Sequence, residues 1–471
     1  MVLFLLSCAA LIAGYFVYGA FIEKVFKINP SKRTPAVLYA DGVDYVPLPT
    51  YKIFLIQFLN IAGLGPVFGA ILGALYGPVC LLWIVLGSVF AGAVHDYLSG
   101  MLSLRYKGQS VTFLMEKFFG ARFRGFFLIF LVFFLILVGA VFAMSPAQML
   151  ANETPPSFLF WICVIFGYYF LATLLPIDKI IGRFYPYFAL LLLGVTVSLI
   201  AVLFTRDMPF YPELTISNQH PAGLPIFPLM FVTIACGALS GFHATQSPMM
   251  ARCLTNEKYG RPVFYGAMIT EGIIALMWAT LGMSFYQGSA HLYEAVQTGG
   301  PIFVVSAIAK DFLGSVGGFL TVLSVVILSI TSGDTAFRSA RLNLADVLHL
   351  SQKEVRNRLL LSAIVLLGGI GLCFIPLMSI WTYFGWANQL LATSTLWICT
   401  LYLRRRHTLY ILTLLPALFM TAVCATYITY EKIGFHLPLD AAQGIGIGTS
   451  LLFLMIFFWK KPAAKRLAQA E

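Results

Sequence analysis

FLIQFLNIAGLGPVFGAILGALYG, residues Phe54 to Gly77, is apolar enough and long enough to cross a bilayer, yet Gly63, Leu64, Gly65 and Pro66 interrupt it near its middle. Pro66 has no amide hydrogen and disfavours helical geometry at Gly65. Nearby carbonyls therefore lose their donors in a medium that cannot replace them. Such a break survives only where protein, water or a ligand satisfies it. The bland reading is a proline kink, which membrane helices tolerate; the functional one is half of a binding site. Beyond the break, Gly65, Gly69, Gly73 and Gly77 recur every four residues and give one face over which a neighbouring backbone can come close.

The surrounding composition fixes the class. Of 471 residues, 60% are hydrophobic and 10% charged, with 42 Phe. Apolar runs of twenty residues or more recur, without the short alternating segments of an outer-membrane barrel, so the fold expected is an all-α polytopic membrane protein. The first run, Val2 to Ile22, lacks a basic leader and is long enough to span, so it reads as retained. Eight cysteines are scattered mostly through apolar runs with no CxxC; buried thiols are expected, not a disulfide framework or a zinc site.

About thirteen spans are read, near 2–22, 52–74, 78–102, 125–148, 157–175, 184–204, 225–250, 263–286, 316–337, 359–375, 379–403, 409–430 and 441–459. Taken through alternate connections, Lys and Arg fall on one side, save Arg206, Lys310 and Lys432 of the 30. That asymmetry orients the N-terminus outside and the C-terminus in the cytoplasm of the cell inner membrane. It also assigns the net charge of +11 to topology and anionic lipid, with no nucleic-acid partner.

A second interruption lies in the seventh span, where CGALSGFHATQSP (Cys236 to Pro248) sets polar and small residues into an apolar run. The first interrupted span is the second. The odd offset of five makes the two enter from opposite sides, the mark of an inverted-topology repeat with its site at the crossing. The expected plan is thus a 5+5 inverted repeat, with one N-terminal and two C-terminal helices. Its parts are an N-terminal helix and loop over 1–51, repeats over 52–205 and 225–403, and helices 12 and 13 with a basic tail over 404–471.

Two connections stand out. The outer segment Gly288 to Ser315 reads as a helical hairpin, either a lid or a passive surface hairpin. Arg338, Arg341, Lys353, Arg356 and Arg358 read as an inner amphipathic continuation of span 9 at the interface.

Ionisable side chains at membrane depth are functional candidates because lipid offers them no partner. His95 and Asp96, His243, Glu271 and Asp334 qualify, all counted into the cytoplasmic half and able to form one cluster. The bland alternatives pair Asp96 and Asp334 with Arg105, Arg338 or Arg341, and leave His243 a satisfied core histidine. Glu271, about eight residues inside its span, is read as a proton carrier or ion ligand, the alternative being a structural hydrogen bond to a neighbouring helix. Thr331 and Ser332, with carbonyls freed around Ala62, form an alternative all-oxygen sodium site; no other metal and no cofactor is expected. The substrate is placed at the breaks, on Gln57, Asn60, Gly63, Gly65, Pro66, Ser240, Gly241, His243, Thr245, Gln246 and Ser247. Pro66 and Pro248 are read as opening the second half-helices, with Thr245 and Ser247 as caps. Amides free at a helix N-terminus favour an anion such as a carboxylate.

TPAVLYADGVDYVP (Thr34 to Pro47), IAGLGPVFG, AGAVHDYLSGMLSLRYKGQS (Ala91 to Ser110), CGALSGFHATQSP and GDTAFRSARL (Gly333 to Leu342) together resemble the carbon starvation protein A family. The resemblance implies an inner-membrane transporter of peptides or pyruvate with a LeuT-type five-plus-five fold. Two histidines that longer members carry before the first break are Ile56 and Gln57 here, and a proline is Ala70. The expected function is ion-coupled secondary uptake of a small carboxylate-bearing nutrient, a proton favoured over sodium. The alternatives are a channel and a non-transporting starvation sensor. No HExxH, GxSxG or GxxxxGK[ST] pattern occurs, which argues against an enzyme or an ATP-driven pump. The sequence leaves the oligomeric state open.

Overall fold

Every regular element among the described residues is helical, as the long apolar runs require where lipid cannot serve backbone polar groups. The computed structural model describes residues 1–42, 44–172, 177–206, 208–209, 215–352 and 354–459; Lys353 and the basic tail 460–471 lie outside the described residues. The order is α1 (Val2–Phe26), α2 (Thr50–Ala62), α3 (Gly65–Tyr76), α4 (Val79–Arg105), α5 (Val111–Phe119), α6 (Ala121–Glu153), α7 (Phe158–Ala172) and α8 (Ile177–Thr205). There follow α9 (226–233), α10 (Phe242–Ala251), α11 (Glu257–Phe285), α12 (Ser289–Leu348), α13 (Val355–Leu372), α14 (Leu377–Arg405), α15 (Ile411–Tyr430) and α16 (Leu439–Trp459).

Among the described residues nine helices are long and apolar enough to cross a membrane, and the bent pair α2–α3 makes a tenth. The other three expected spans fall on α7, only 15 residues long, on the interrupted stretch 226–251, and on α14. In α14, Asn388, Gln389 and several threonines dilute the apolar run.

The α2 helix is the centre of the bundle. It packs against α8, α10, α11 and α12, and every residue from Ile56 to Ala62 is buried. Around it, α6 lies along α12, where Gly139 faces the Phe337 ring, and α14 to α16 pack in sequence order. The first helix packs onto the bundle too: Gly14 meets Val89 and Gly19 meets Tyr265.

The segment Gly288 to Ser315 is helical with breaks. Gly299, Gly300 and Gly314 leave helical geometry, and the piece between them is held by Lys310 to Glu153 at 2.8 Å and by Arg206 to Asp311. The interfacial reading of Arg338 and Arg341 is corrected. Both are buried in the bundle, with Arg338 donating to the Ala172 carbonyl at 3.1 Å, because α7 and α8 cover this part of α12. The α5 helix, started by Ser110 accepting from the Phe113 amide, was missed as an element.

Candidate functional site

Both breaks are present, and they cross. The α2–α3 pair bends by 55°, with Gly63 at φ +45° and Pro66 in the first turn of α3, where its missing amide costs nothing. The glycine face of α3 meets the second interrupted stretch: Gly65 lies on Cys236, Gly69 on the Thr233 carbonyl and Gly73 on Ile234. Gly237, at φ +94°, in turn approaches Pro66.

The second break runs from residue 234 to 241, further toward the N-terminus than the proline implied. Pro248 lies inside α10, which begins at Phe242. Thr245 and Ser247 donate to the Phe242 and His243 carbonyls within that helix and are not caps. Side chains from α4 and α14 replace the lost backbone bonds. Trp83 donates to the Ile234 carbonyl (3.3 Å), Ser88 to Gly237 (2.8 Å), and Gln389 to both Phe231 and Leu239 (3.1 Å each). Asn388 accepts from the Phe242 amide at 2.8 Å and from Ser240 at 3.2 Å. The space beside the other two site glycines is likewise filled by protein: Phe142 backs Gly63, and Gly241 sits on the α14 backbone.

Against this break lies a chain of ionisable groups with no solvent exposure. Asp96 holds His95 Nδ1 at 2.7 Å with one oxygen and His243 Nδ1 at 2.8 Å with the other; His243 Nε2 stands 3.4 Å from Glu271 Oε2. An ionised Asp96 only accepts, so Nδ1 of each ring carries hydrogen and neutral His243 turns the Nε2 lone pair toward Glu271. Neither Glu271 oxygen nor either Nε2 has a hydrogen-bond partner among the described residues. Two acceptors facing each other in a buried site call for a proton or another cation between them.

The family model described as carbon starvation protein CstA matches residues 1–161, 157–302 and 295–427. The chain belongs to this family. This CstA-family chain is 45% identical over 352 residues to a Haemophilus influenzae protein described as an uncharacterized membrane protein, covering 64% of this chain and 95% of that one. It is 29% identical to the Escherichia coli peptide transporter CstA (57% of this chain, 48% of that one). It is also 29% identical to the Escherichia coli pyruvate/proton symporter BtsT (58% and 47%). The chain thus matches about half the length of both named transporters. In fold it is similar to the Eremococcus coleocola manganese transporter (TM-score 0.61, 12% identity, 89% of this chain and 97% of that one). It is likewise similar to a Na⁺-coupled sialic acid symporter (TM-score 0.53, 14% identity, 96% and 98%). The CstA-family chain is therefore a multi-pass membrane protein with a transporter fold.

Not every residue singled out joins the chain of charges. Asp334 accepts from Tyr185 at 3.1 Å, and Arg105 binds Glu257 (3.5 Å), Tyr402 and the Lys27 carbonyl instead of Asp96. Thr331 donates to the Leu328 carbonyl of its own helix, while Ser332 faces the carbonyls of Leu59 and Asn60 at 3.4 and 3.5 Å, close to Ala62 in sequence. The side-chain amides of Gln57 and Asn60 are buried without a hydrogen-bond partner among the described residues, and Gln246 bonds Thr245. Sequence reasoning missed Asn388 and Gln389 as the clamp on the second break, and Cys236 beside Glu271. An Asn-Gln pair within an apolar run was the available signal for the first.

Proposed function

We propose that this protein is a secondary active transporter that takes up a small carboxylate-bearing nutrient, a peptide or a 2-oxo acid such as pyruvate. The observation that carries the reading is the crossing of two interrupted helices, Gly65 on Cys236, beside a buried chain of ionisable groups. The family supports it, as do the Escherichia coli relatives named for peptide and for pyruvate transport. Thirteen spans in a five-plus-five inverted repeat, with the N-terminus outside and the C-terminus in the cytoplasm of the inner membrane, follow from the lysine and arginine asymmetry and the opposed breaks.

Substrate is held where unsatisfied polar groups meet the crossing: the amides of Gln57 and Asn60 and the polar face of α10 from His243 to Ser247. A proton is favoured over sodium, in keeping with the relative named a pyruvate/proton symporter. Alternating access moves the repeats against one another about this crossing.

Replacement of Glu271 by Gln tests the coupling. Reconstituted Glu271→Gln is expected to exchange substrate down its gradient but to lose proton-driven accumulation. Undiminished uphill uptake would remove Glu271 from the mechanism.

A further inference from the structure

We infer that Cys236, His243 and Glu271 form a three-ligand site for a thiophilic divalent cation of the zinc class. Among the described residues they are the one group of histidine, cysteine and acidic side chains placed to hold a metal, and all three are buried. Each offers one ligand atom, and those atoms lie within 4.8 Å of one another, with His243 Nε2 and Glu271 Oε2 at 3.4 Å. Metal–ligand lengths of about 2.3 Å for sulfur and 2.0–2.2 Å for nitrogen or oxygen put tetrahedral ligands roughly 3.3–3.7 Å apart. The nitrogen–oxygen pair already has that spacing. The sulfur, within 4.8 Å of the other two ligand atoms, must close by up to about 1 Å, which rotation about the Cys236 Cα–Cβ bond supplies while the pinned stretch 234–241 stays in place.

Three further observations point to a ligand. His243 Nε2 and both oxygens of Glu271 have no hydrogen-bond partner among the described residues. Behind the ring, Asp96 holds Nδ1 at 2.8 Å, and His95 holds the other Asp96 oxygen at 2.7 Å. A carboxylate behind a histidine fixes the tautomer that points its lone pair at a metal. Finally, a dipositive ion with one thiolate, one carboxylate and one neutral imidazole sums to zero charge, which removes the cost of an uncompensated Glu271 carboxylate. On binding, the Cys236 thiol, now 3.3 Å from Ser240 Oγ, gives up its proton to solvent.

The donor set selects the ion. Sulfur and imidazole favour zinc or cobalt over magnesium or calcium, and three protein ligands leave a fourth position open. Because the same nitrogen and oxygen would hold a transported proton, metal and proton exclude one another there. The inference stands on this geometry and does not rest on the transport reading.

The test is titration of the purified, metal-stripped full chain with cobalt(II), followed by absorption. One equivalent is expected to bring a thiolate-to-cobalt band in the near ultraviolet with visible bands of tetrahedral intensity, all displaced by zinc. Cys236→Ser should lose the ultraviolet band, whereas Cys424→Ser, altered at a buried thiol elsewhere, should keep it. Asp96→Asn should keep the band and weaken binding about 10- to 100-fold. Zinc should raise the melting temperature of the parent but not of His243→Gln. Absence of the band in monodisperse parent protein, or its survival in Cys236→Ser, would overturn the inference. Proton-driven uptake, measured separately, bears on the transport reading alone.

Discussion

Gly65→Ala puts the crossing of the two breaks to a direct test. A Cβ at residue 65 would stand 2.5 Å from Cys236 Sγ and 3.1 Å from Cys236 Cα, and closer still to Cys236 Cβ. Ordinary contacts between heavy atoms lie near 3.5–4.0 Å, so the two stretches must part by roughly 1 Å or more. Neither is free to do so: Pro66 is fixed in the first turn of α3, and residues 234–241 are pinned by Trp83, Ser88, Asn388 and Gln389. Overpacking of this kind costs about 1–3 kcal/mol, which is roughly 5- to 150-fold in affinity if the bound state bears it. Melting in detergent and substrate affinity are the readouts, with Cys236→Gly as the partner substitution. The double variant should recover most of the loss, with a coupling of about 0.5–3 kcal/mol. If Gly65→Ala melts and binds like the parent, or if Cys236→Gly fails to relieve it, the breaks do not cross as described.

Other substitutions read separate parts of the structure. Gln389→Leu leaves the Phe231 and Leu239 carbonyls without their donor, so a loss of about 1–3 kcal/mol in unfolding free energy is expected; an unchanged stability would mean that the clamp is idle. Arg105→Lys keeps the charge but gives up the fork that joins Tyr402, Glu257 and the Lys27 carbonyl, so lower thermal stability is expected, and full stability would reduce the contact to a simple ion pair. In the connection before the second interrupted stretch, the His220 ring lies between Tyr76 and Tyr293 and accepts the Ala222 amide; its burial holds its pKa below the ordinary histidine value. The unfolded segment therefore binds a proton more readily than the folded one, so stability is complete above the ordinary value and falls as pH drops through it. Hydrogen exchange over 215–225 should quicken from pH 8 to pH 5 beyond its intrinsic dependence, and greater protection at pH 5 would contradict this.

The first break was legible because Gly-Leu-Gly-Pro cannot continue a helix in a run otherwise made of good spanning residues. The second was placed within a few residues but not within a turn. Pro248 drew the reading toward itself, although a proline can sit inside a helix that its neighbours support, whereas Gly237 and Gly241 open the chain only because Ser88, Asn388 and Gln389 receive it. Those partners are about 150 residues away in sequence for each contact, and no local pattern announces them. His243, Asp96 and Glu271 were picked out singly by the cost of charge in lipid. Their order in space, with Asp96 as the hub, depends on how α4, α10 and α11 pack. Asp334 has the same sequence signature and a different fate beside Tyr185. Arg338 and Arg341 looked interfacial because their spacing is amphipathic, but helices from the other side of the chain cover them.

Carrier-type uptake at the crossing of the two broken helices requires accumulation of substrate against its gradient. It is tested most directly by uptake of labelled pyruvate and of a labelled dipeptide into proteoliposomes, under an imposed proton gradient, a sodium gradient, or neither. Accumulation above equilibrium of one of the two compounds, driven by the proton gradient and lost in Glu271→Gln, is the result expected. Rapid equilibration without accumulation under any gradient would contradict the account and indicate a channel.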